Sequence, residues 1–256
     1  MTFTMKDKGN RSKIKIWAVL LWLLMWEIAA RSIGQEILLV SPAVVLFKFL
    51  QLMLTLSFWQ SIAFSLLRII GGFLLALCAG VILAGISSMN TFIKELMRPL
   101  IAVIKAVPVA SFIILVLIWV PSRNLSVVIS FLMVLPVVYQ NILEGIERMD
   151  GQLLEMAQVF QVPYGKRLRY IYLSQIMPFF KTAASLSLGL CWKAGVAAEV
   201  IGIPRGSIGE KLYEAKIYLQ TPDLFAWTFT IVLLSVGFEK IFLLFVDKLV
   251  KKVERG

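Results

Sequence analysis

The side chains that could carry out acid–base, nucleophilic or metal chemistry are few in this sequence and are poorly placed for it. There is no histidine, which removes imidazole zinc ligands and every catalytic scheme that needs a histidine base. Cys78 and Cys191 both lie in apolar runs and are expected to be buried small residues rather than a disulfide framework. Glu144 and Glu147 are one helical turn apart and are interpreted as a solvated face, not as an acid/base pair. We expect no catalytic group, metal site or cofactor.

The glycine-rich stretch 202–209 is the segment most similar to a phosphate-binding loop. Such a loop ends in Lys followed by Ser or Thr, whereas this stretch ends Arg205-Gly206-Ser207-Ile208-Gly209. The chain is therefore not expected to hydrolyse ATP. The stretch is interpreted as a turn-rich loop outside the membrane, in which Ser207 is accessible to water.

Four charged residues lie inside apolar runs and, if these runs span a membrane, are the candidates for lining a polar path through it: Lys193, Glu199, Arg68 and Lys105. A charged side chain facing hydrocarbon is costly, so such residues usually face the protein interior or a water-filled cavity. Lys193 is expected to face the path and to favour an anionic or polar substrate. The alternatives are that Lys193 pairs within the protein, for example with Glu199, that Lys105 reaches the inner surface, and that Arg68 joins two helices.

These residues are carried by segments that need a membrane around them. The hydrophobic share is 59% and the charged share 16%, and the mean hydropathy is +0.86, so lipid must be the solvent for much of the surface. The net charge is +11, but the Lys and Arg cluster at the ends of apolar segments, which argues against nucleic acid. We predict an all-α fold with one membrane domain over residues 1–256 and about six spans. The predicted spans are 14–30, 60–86, 99–120, 125–145, 175–203 and 223–246.

Prolines mark several helix starts and bends. Ser41-Pro42 predicts the start of a helix over 42–54 that lies along the outer face. Pro178 is expected in the first turn of the fifth span, where its missing N–H costs little. Pro108 and Pro136 lie inside spans and are expected to kink them.

Two spans carry small residues at every fourth position, which lets helices approach closely in lipid. Packing within one subunit is favoured over a dimer contact. The stripes are Gly72, Ala76, Gly80 and Ala84 in the second span, and Ala183, Ser187, Cys191 and Gly195, with Glu199 next in register, in the fifth.

The distribution of Lys and Arg predicts that both termini are cytoplasmic. With the N-terminus inside, the cytoplasmic segments hold 16 of the 26 basic residues and the outer segments hold six. The basic start and the apolar run after it are similar to a signal peptide. Glu27, together with Trp17, Trp22 and Trp26, favours an uncleaved first helix instead.

The loop 148–174 is the segment least like a membrane span. Its first part is an amphipathic helix with Leu153, Met156, Ala157 and Phe160 on one face. A short cytoplasmic helix of this kind can dock in a groove of a partner protein, where we expect the small Ala157 to be in close contact. The alternative interpretation is a helix that lies on anionic lipid headgroups. This interpretation is weaker for residues 152–161, which include no Lys or Arg, and stronger for the basic stretch 166–172.

The chain resembles the inner-membrane permeases of binding-protein-dependent ABC importers, in particular the nitrate/sulfonate/taurine-type branch. That family has a Glu-Ala-Ala motif, then a Gly, then Leu-Pro-x-x-x-Pro in the last large cytoplasmic loop. This chain has Glu155-Met156-Ala157, then Gln161 in the place of the Gly, and Leu173-Ser174-Gln175-Ile176-Met177-Pro178. Further likenesses run in family order along nearly the whole chain. They are Ser65-Leu66-Leu67-Arg68 with Gly71-Gly72-Phe73, Arg98-Pro99 with Val107-Pro108, and Ala198-Glu199-Val200 with Gly206-Ser207-Ile208-Gly209.

The resemblance implies a permease subunit in a bacterial inner membrane that has no ATPase activity of its own. It implies two ATP-binding subunits, an extracytoplasmic substrate-binding protein and a second, identical permease as partners. The resemblance also implies coupling to the ATPase through Glu155, Met156, Ala157, Phe160, Gln161 and Gly165. Glu155 is expected to shape the loop, by capping or by pairing with Arg167 or Arg169. The alternative function is a self-contained secondary carrier or channel, for which the sequence shows neither a buried acidic relay nor an inverted repeat.

Overall fold

The described part of the chain, residues 16–255 with side chains through residue 248, is helical in a computed structural model. One π-helical turn, Leu168–Tyr172, precedes α9. The helices are α1 (Ile16–Ile33), α2 (Pro42–Met53), α3 (Leu56–Met89), α4 (Thr91–Ala106), α5 (Val109–Leu117), α6 (Ser122–Glu147), α7 (Gly151–Val159), α8 (Tyr164–Arg167), α9 (Leu173–Gly202), α10 (Ile208–Ile217) and α11 (Thr221–Arg255).

The predicted number of membrane spans agrees with the described helices. Five of them are long and apolar enough to cross a membrane, and the number is six if α4 and α5 together form one broken span. The bounds of α3, α6 and α9 lie within a few residues of the predicted spans, whereas α11 continues well beyond residue 246. Residues 14 and 15 of the first predicted span, and the basic residues of 1–15, lie outside the described residues.

The third predicted span is broken at Pro108, where only a kink was expected. The axes of α4 and α5 differ by 105°, and Val107 between them is extended, with ψ 130°. Proline disfavours the helical conformation in the residue before it, which ends α4 at Ala106. Pro136, by contrast, is accommodated inside the continuous helix α6.

The core of the fold is the contact of α3, α6 and α9, which depends on the two stripes of small residues. A Cβ on Gly72 would lie 2.3 Å from the carbonyl oxygen of Val127, and one on Gly195 would lie 2.7 Å from Cγ1 of Ile69. All members of both stripes are buried within this one chain. The expected packing within a subunit is therefore confirmed.

The continuous helical segment that contains the fifth span begins earlier than the predicted span. Together, α8, the π-helical turn and α9 form one apolar helical segment, Tyr164–Gly202, so Pro178 lies inside α9 and not in its first turn. The basic stretch 166–172 is consequently the beginning of this long helix, not a separate amphipathic segment.

The bundle has two ends, which we name after their short helices. The α10 end holds the N-terminal ends of α3, α6 and α11, and α2 packs there through an ion pair between Lys48 and Asp223 at 3.1 Å. The hydroxyl of Ser41 accepts a hydrogen bond from the N–H of Val44 at 3.4 Å, as predicted for the start of α2. The α7 end holds the C-terminal end of α6 and the beginning of the α8–α9 segment.

Candidate coupling segment and polar network

Helix α7 begins with a capping contact that also fixes it to α9. The Asp150 carboxylate accepts a hydrogen bond from the N–H of Gln152 at 2.9 Å, which satisfies a free donor of the first turn. The N–H of Asp150 donates to the side-chain oxygen of Gln175 in α9 at 2.8 Å. The start of α7 is therefore held at a defined place on the core helix α9.

The end of α7 explains why the related motif has a glycine at this position. Gln161 has a φ of +49°, the left-handed conformation that glycine adopts most easily. The N–H of Val162 donates to the carbonyl of Ala157 at 3.0 Å, and the N–H of Gln161 to that of Gln158 at 3.1 Å. These are the two bonds of a Schellman motif. Gln161 keeps this turn at a conformational cost of about 1 kcal/mol.

Helix α7 and its C-cap residue Phe160 expose several apolar side chains, but Ala157 is not one of them. Val159 is 78% exposed and Phe160 74%, and Met156 and Leu153 are also exposed, whereas Ala157 is 2% exposed. In a Schellman motif the residue at the place of Val162 usually covers the one at the place of Ala157. The expectation that Ala157 itself contacts a partner is therefore wrong, since it packs inside the chain. Val159 was missed because it lies off the predicted apolar face.

The expected pairing of Glu155 is also not found. Glu155 is exposed, and among the described side chains it pairs with neither Arg167 nor Arg169. The guanidinium of Arg167 instead donates to the Tyr172 hydroxyl at 3.2 Å, and that of Arg169 lies over the ring of Tyr170. Gly165 is exposed in the short helix α8. Glu155 is thus free to reach a partner.

At the α10 end, Glu199 is the centre of a buried polar network. It is 0% exposed, and its Oε2 accepts hydrogen bonds from the Ser65 hydroxyl at 2.6 Å and from the N–H of Gly209 at 3.3 Å. Ser65 in turn accepts from the N–H of Ile208 at 3.0 Å. The hydroxyl of Ser126 and the second carboxyl oxygen, Oε1, are also buried, and neither makes a hydrogen bond to a described residue. Glu199 therefore joins α9 to α3 and to the first turn of α10.

A carboxylate suits this place because the first turn of a helix has free N–H groups and a partial positive charge. The contact also requires the glycine, since a Cβ on Gly209 would lie 2.3 Å from Cβ of Glu199. Ser207 caps α10 by accepting from the N–H of Glu210 at 2.9 Å. Ser207 is buried, so the expectation that it is accessible to water is wrong. The neighbouring Arg205 and Gly206 are exposed.

The sequence of these helices matches a known family. A family model described as "Binding-protein-dependent transport system inner membrane component" matches residues 76–255. The chain belongs to this family. It is a multi-pass inner-membrane permease of an ABC importer, of the nitrate, sulfonate and taurine type.

Three permeases illustrate the similarity. The putative aliphatic sulfonates transport permease protein SsuC of Bacillus subtilis (strain 168) is 24% identical over 79% of this chain and 74% of its own length. The taurine transport system permease protein TauC of Escherichia coli (strain K12) is 25% identical over 78% and 75%. The nitrate import permease protein NrtB of Synechococcus elongatus is 26% identical over 60% and 55%. The family favours an importer permease over a self-contained carrier or channel.

The four candidate path residues of the permease occupy different surroundings. Lys193 is exposed on the side of α9 opposite the small-residue stripe and makes no hydrogen bond or ion pair with a described side chain, so the alternative of a pair with Glu199 is not found. Arg68 donates to the carbonyl of Arg123 at 2.7 Å and lies over the ring of Phe64. Arg68 therefore joins α3 to α6, which agrees with the alternative interpretation of Arg68 as a contact between two helices.

Lys105 contacts a neighbouring helix but remains exposed. Its ammonium group donates to the side-chain oxygen of Gln140 at 2.8 Å. The structure therefore does not bring the four charged residues into one cluster. Of the four, Lys193 and Lys105 are exposed, while Arg68 and Glu199 are occupied by contacts between helices.

Proposed function

We propose that this permease forms, with a second copy of itself, the substrate path of the importer, and that α7 couples the path to a separate ATPase subunit. Two ATPase subunits bind at the α7 end, which is cytoplasmic together with both termini. An extracytoplasmic binding protein delivers substrate at the α10 end. The chain itself hydrolyses no ATP.

The exposed apolar side chains of α7, above all Phe160, are the observation that supports coupling. An exposed apolar group on a short helix outside the spans is unfavourable in water and is typical of a helix that docks in a groove. Asp150 and the turn at Gln161 fix both ends of α7, so a force on its exposed face is passed to α9 through Gln175.

The substrate is proposed to be a small anion or a polar organic molecule. The similar permeases are named for aliphatic sulfonates, taurine and nitrate, which are small and polar or charged. Lys193 is exposed inside a membrane span, has no partner among the described side chains, and offers such a substrate a positive charge.

The coupling proposal is tested by placing a charge on the exposed face of α7. Phe160→Asp should insert normally but should lose its ATPase subunit during purification, because a carboxylate would be buried in an apolar groove. Tyr218→Asp is the matched control, since Tyr218 is an aromatic residue that is 70% exposed at the α10 end. If Phe160→Asp keeps an active ATPase subunit and transports normally, α7 is not the docking element.

The proposed orientation is tested by labelling single cysteines from outside the cell with an impermeant reagent. The background must lack Cys78, which is exposed, contrary to its expected burial, and also the buried Cys191. A cysteine at Gln158 should be protected and one at Arg205 should react. If position 158 is labelled from outside, the α7 end faces the outside and the proposed orientation is wrong.

A further inference from the structure

A cleft of about 520 Å³ lies between α9 and α11 near the α7 end, a volume typical of small-ligand sites. Both charged and apolar side chains line it, and it lies outside both the coupling segment and the Glu199 network. The side chains that matter for its chemistry are Ser185, Glu239, Lys240, Leu243, Leu244 and Asp247.

Two of the charges in this cleft have no partner among the side chains that the structure describes. Asp247 forms an ion pair with Lys181 across the two helices. Glu239 and Lys240 form neither a hydrogen bond nor an ion pair with any described side chain. Glu239 is half-buried and Lys240 is exposed, so the cleft presents one free carboxylate and one free ammonium group side by side. Together with the ion pair of Lys181 and Asp247, these charges sum to zero, so the cleft carries no net charge.

The position of the cleft along α11 corresponds to the membrane surface at the α7 end. Asp223, paired with Lys48, marks the aqueous boundary at the α10 end. A hydrocarbon core of about 30 Å is crossed by about 20 helical residues, which leads from residue 223 to about residue 243. Glu239 and Asp247 lie on either side of that level. On the side toward the membrane centre, α11 exposes Val232 and Val236.

We propose that this cleft binds a membrane lipid with a zwitterionic phosphoethanolamine headgroup. The lipid ammonium group donates hydrogen bonds to the Glu239 carboxylate, and the phosphate accepts them from Lys240 and the Ser185 hydroxyl. The acyl chains lie along Val232 and Val236. A charge-balanced cleft has no net attraction for an anionic lipid, and a quaternary choline group has no N–H to donate to Glu239.

The proposal is tested by lipid titration of the purified, delipidated permease, with its copurifying subunits, followed by native mass spectrometry. The probes are phosphatidylethanolamine, its mono-, di- and trimethylated forms, and phosphatidylglycerol, all with the same acyl chains. The unmodified protein should bind phosphatidylethanolamine most tightly, and its affinity should fall with each added methyl group. This series needs no variant, so it stands even where a substitution prevents folding.

Single substitutions test whether the preference for phosphatidylethanolamine arises in the cleft. Glu239→Gln should lower the affinity for phosphatidylethanolamine about tenfold and remove the discrimination against methylated headgroups, as expected for the loss of a charge-assisted hydrogen bond. Lys240→Met should lower it similarly. Lys248→Met is the control, because Lys248 is exposed on the same helix just beyond the cleft, and it should bind lipid as the unmodified protein does.

Three results would overturn the proposal. One is equal affinity along the methylation series, and another is tighter binding of phosphatidylglycerol. The third is cross-linking of a cysteine at Val236 to a second permease copy in the membrane, because the cleft would then be covered by protein.

Discussion

Replacing Glu199 by glutamine is expected to release the first turn of α10 from the bundle. Glu199 is fully buried, and its Oε2 accepts from Ser65 at 2.6 Å and from Gly209 at 3.3 Å. Glutamine has nearly the same shape, so it fills the same space and leaves no cavity. The change therefore removes mainly the negative charge that faces the start of α10.

Two contributions determine how much free energy the Glu199→Gln change removes from the contact that holds α10 to the bundle. A hydrogen bond to a charged group contributes about 1.5–3 kcal/mol, compared with about 1 kcal/mol for a neutral one. A charge at a helix terminus adds about 0.3–1 kcal/mol, and up to about 2 kcal/mol where it is partly buried. A loss of about 2 kcal/mol is the central expectation, which corresponds to a roughly 30-fold larger opening constant for α10.

Hydrogen exchange of the purified permease measures this opening directly. The amides of α10, Ile208–Ile217, should exchange roughly 30-fold faster in Glu199→Gln, while those in the middle of α6 should not change. Glu210→Gln is the control. The Glu210 carboxylate accepts from the N–H of Gly206 at 2.6 Å near the surface, where water can replace the bond, so its effect should be below about 1 kcal/mol.

Ser65→Ala gives a second test of the same network, because it removes both the donor to Glu199 and the acceptor for Ile208. The loss of stability in the double variant Ser65→Ala/Glu199→Gln should then be smaller than the sum of the losses in the two single variants. Unchanged exchange of α10 in Glu199→Gln would refute the charge argument, since it would mean that Glu199 is a neutral acid. Additive effects would mean that Ser65 and Glu199 act independently.

Three further changes test other parts of the permease. Gly209→Ala should destabilise α10 by about 1–3 kcal/mol or more, because the new Cβ would lie 2.3 Å from Cβ of Glu199. A melting temperature equal to that of the unmodified protein would contradict this contact. Gln161→Gly should slow hydrogen exchange of α7 by a factor that corresponds to about 0.5–1 kcal/mol, while Gln161→Val should accelerate it. Lys193→Met should abolish uptake and leave assembly and basal ATPase activity intact. Unchanged uptake would remove Lys193 from the path, and loss of assembly would indicate a structural role.

The sequence predicts best those features that depend on neighbours in the chain. The stripe from Gly72 to Ala84 predicts a close helix contact because residues four apart share one face of a helix. The start of α2 at Ser41 is equally local. The orientation of the permease, by contrast, stays a prediction from its charge distribution.

What the sequence does not reveal depends on contacts between distant segments. Ser65 and Glu199 are 134 positions apart, and no local pattern marks them as partners. The left-handed turn at Gln161 is not indicated either, because the glycine that usually marks such a turn is missing. At Pro108, the sequence indicates that the helix is disturbed, but the 105° between α4 and α5 depends on where α5 packs against α6 and α9.

Helix α9 connects the two ends of the permease, and its packing determines what it can transmit. Gln175, which binds the start of α7, and Glu199, which binds the start of α10, are separated by about 36 Å along this helix. In between, Gly195 is packed so closely against Ile69 that no Cβ fits, so α9 cannot bend away from α3 locally without losing that contact. A displacement of α7 is therefore expected to move α9 and α10 together as one body. Lys193, exposed on the same helix, would move with them, which is how a force at the α7 end would reach a substrate in the membrane.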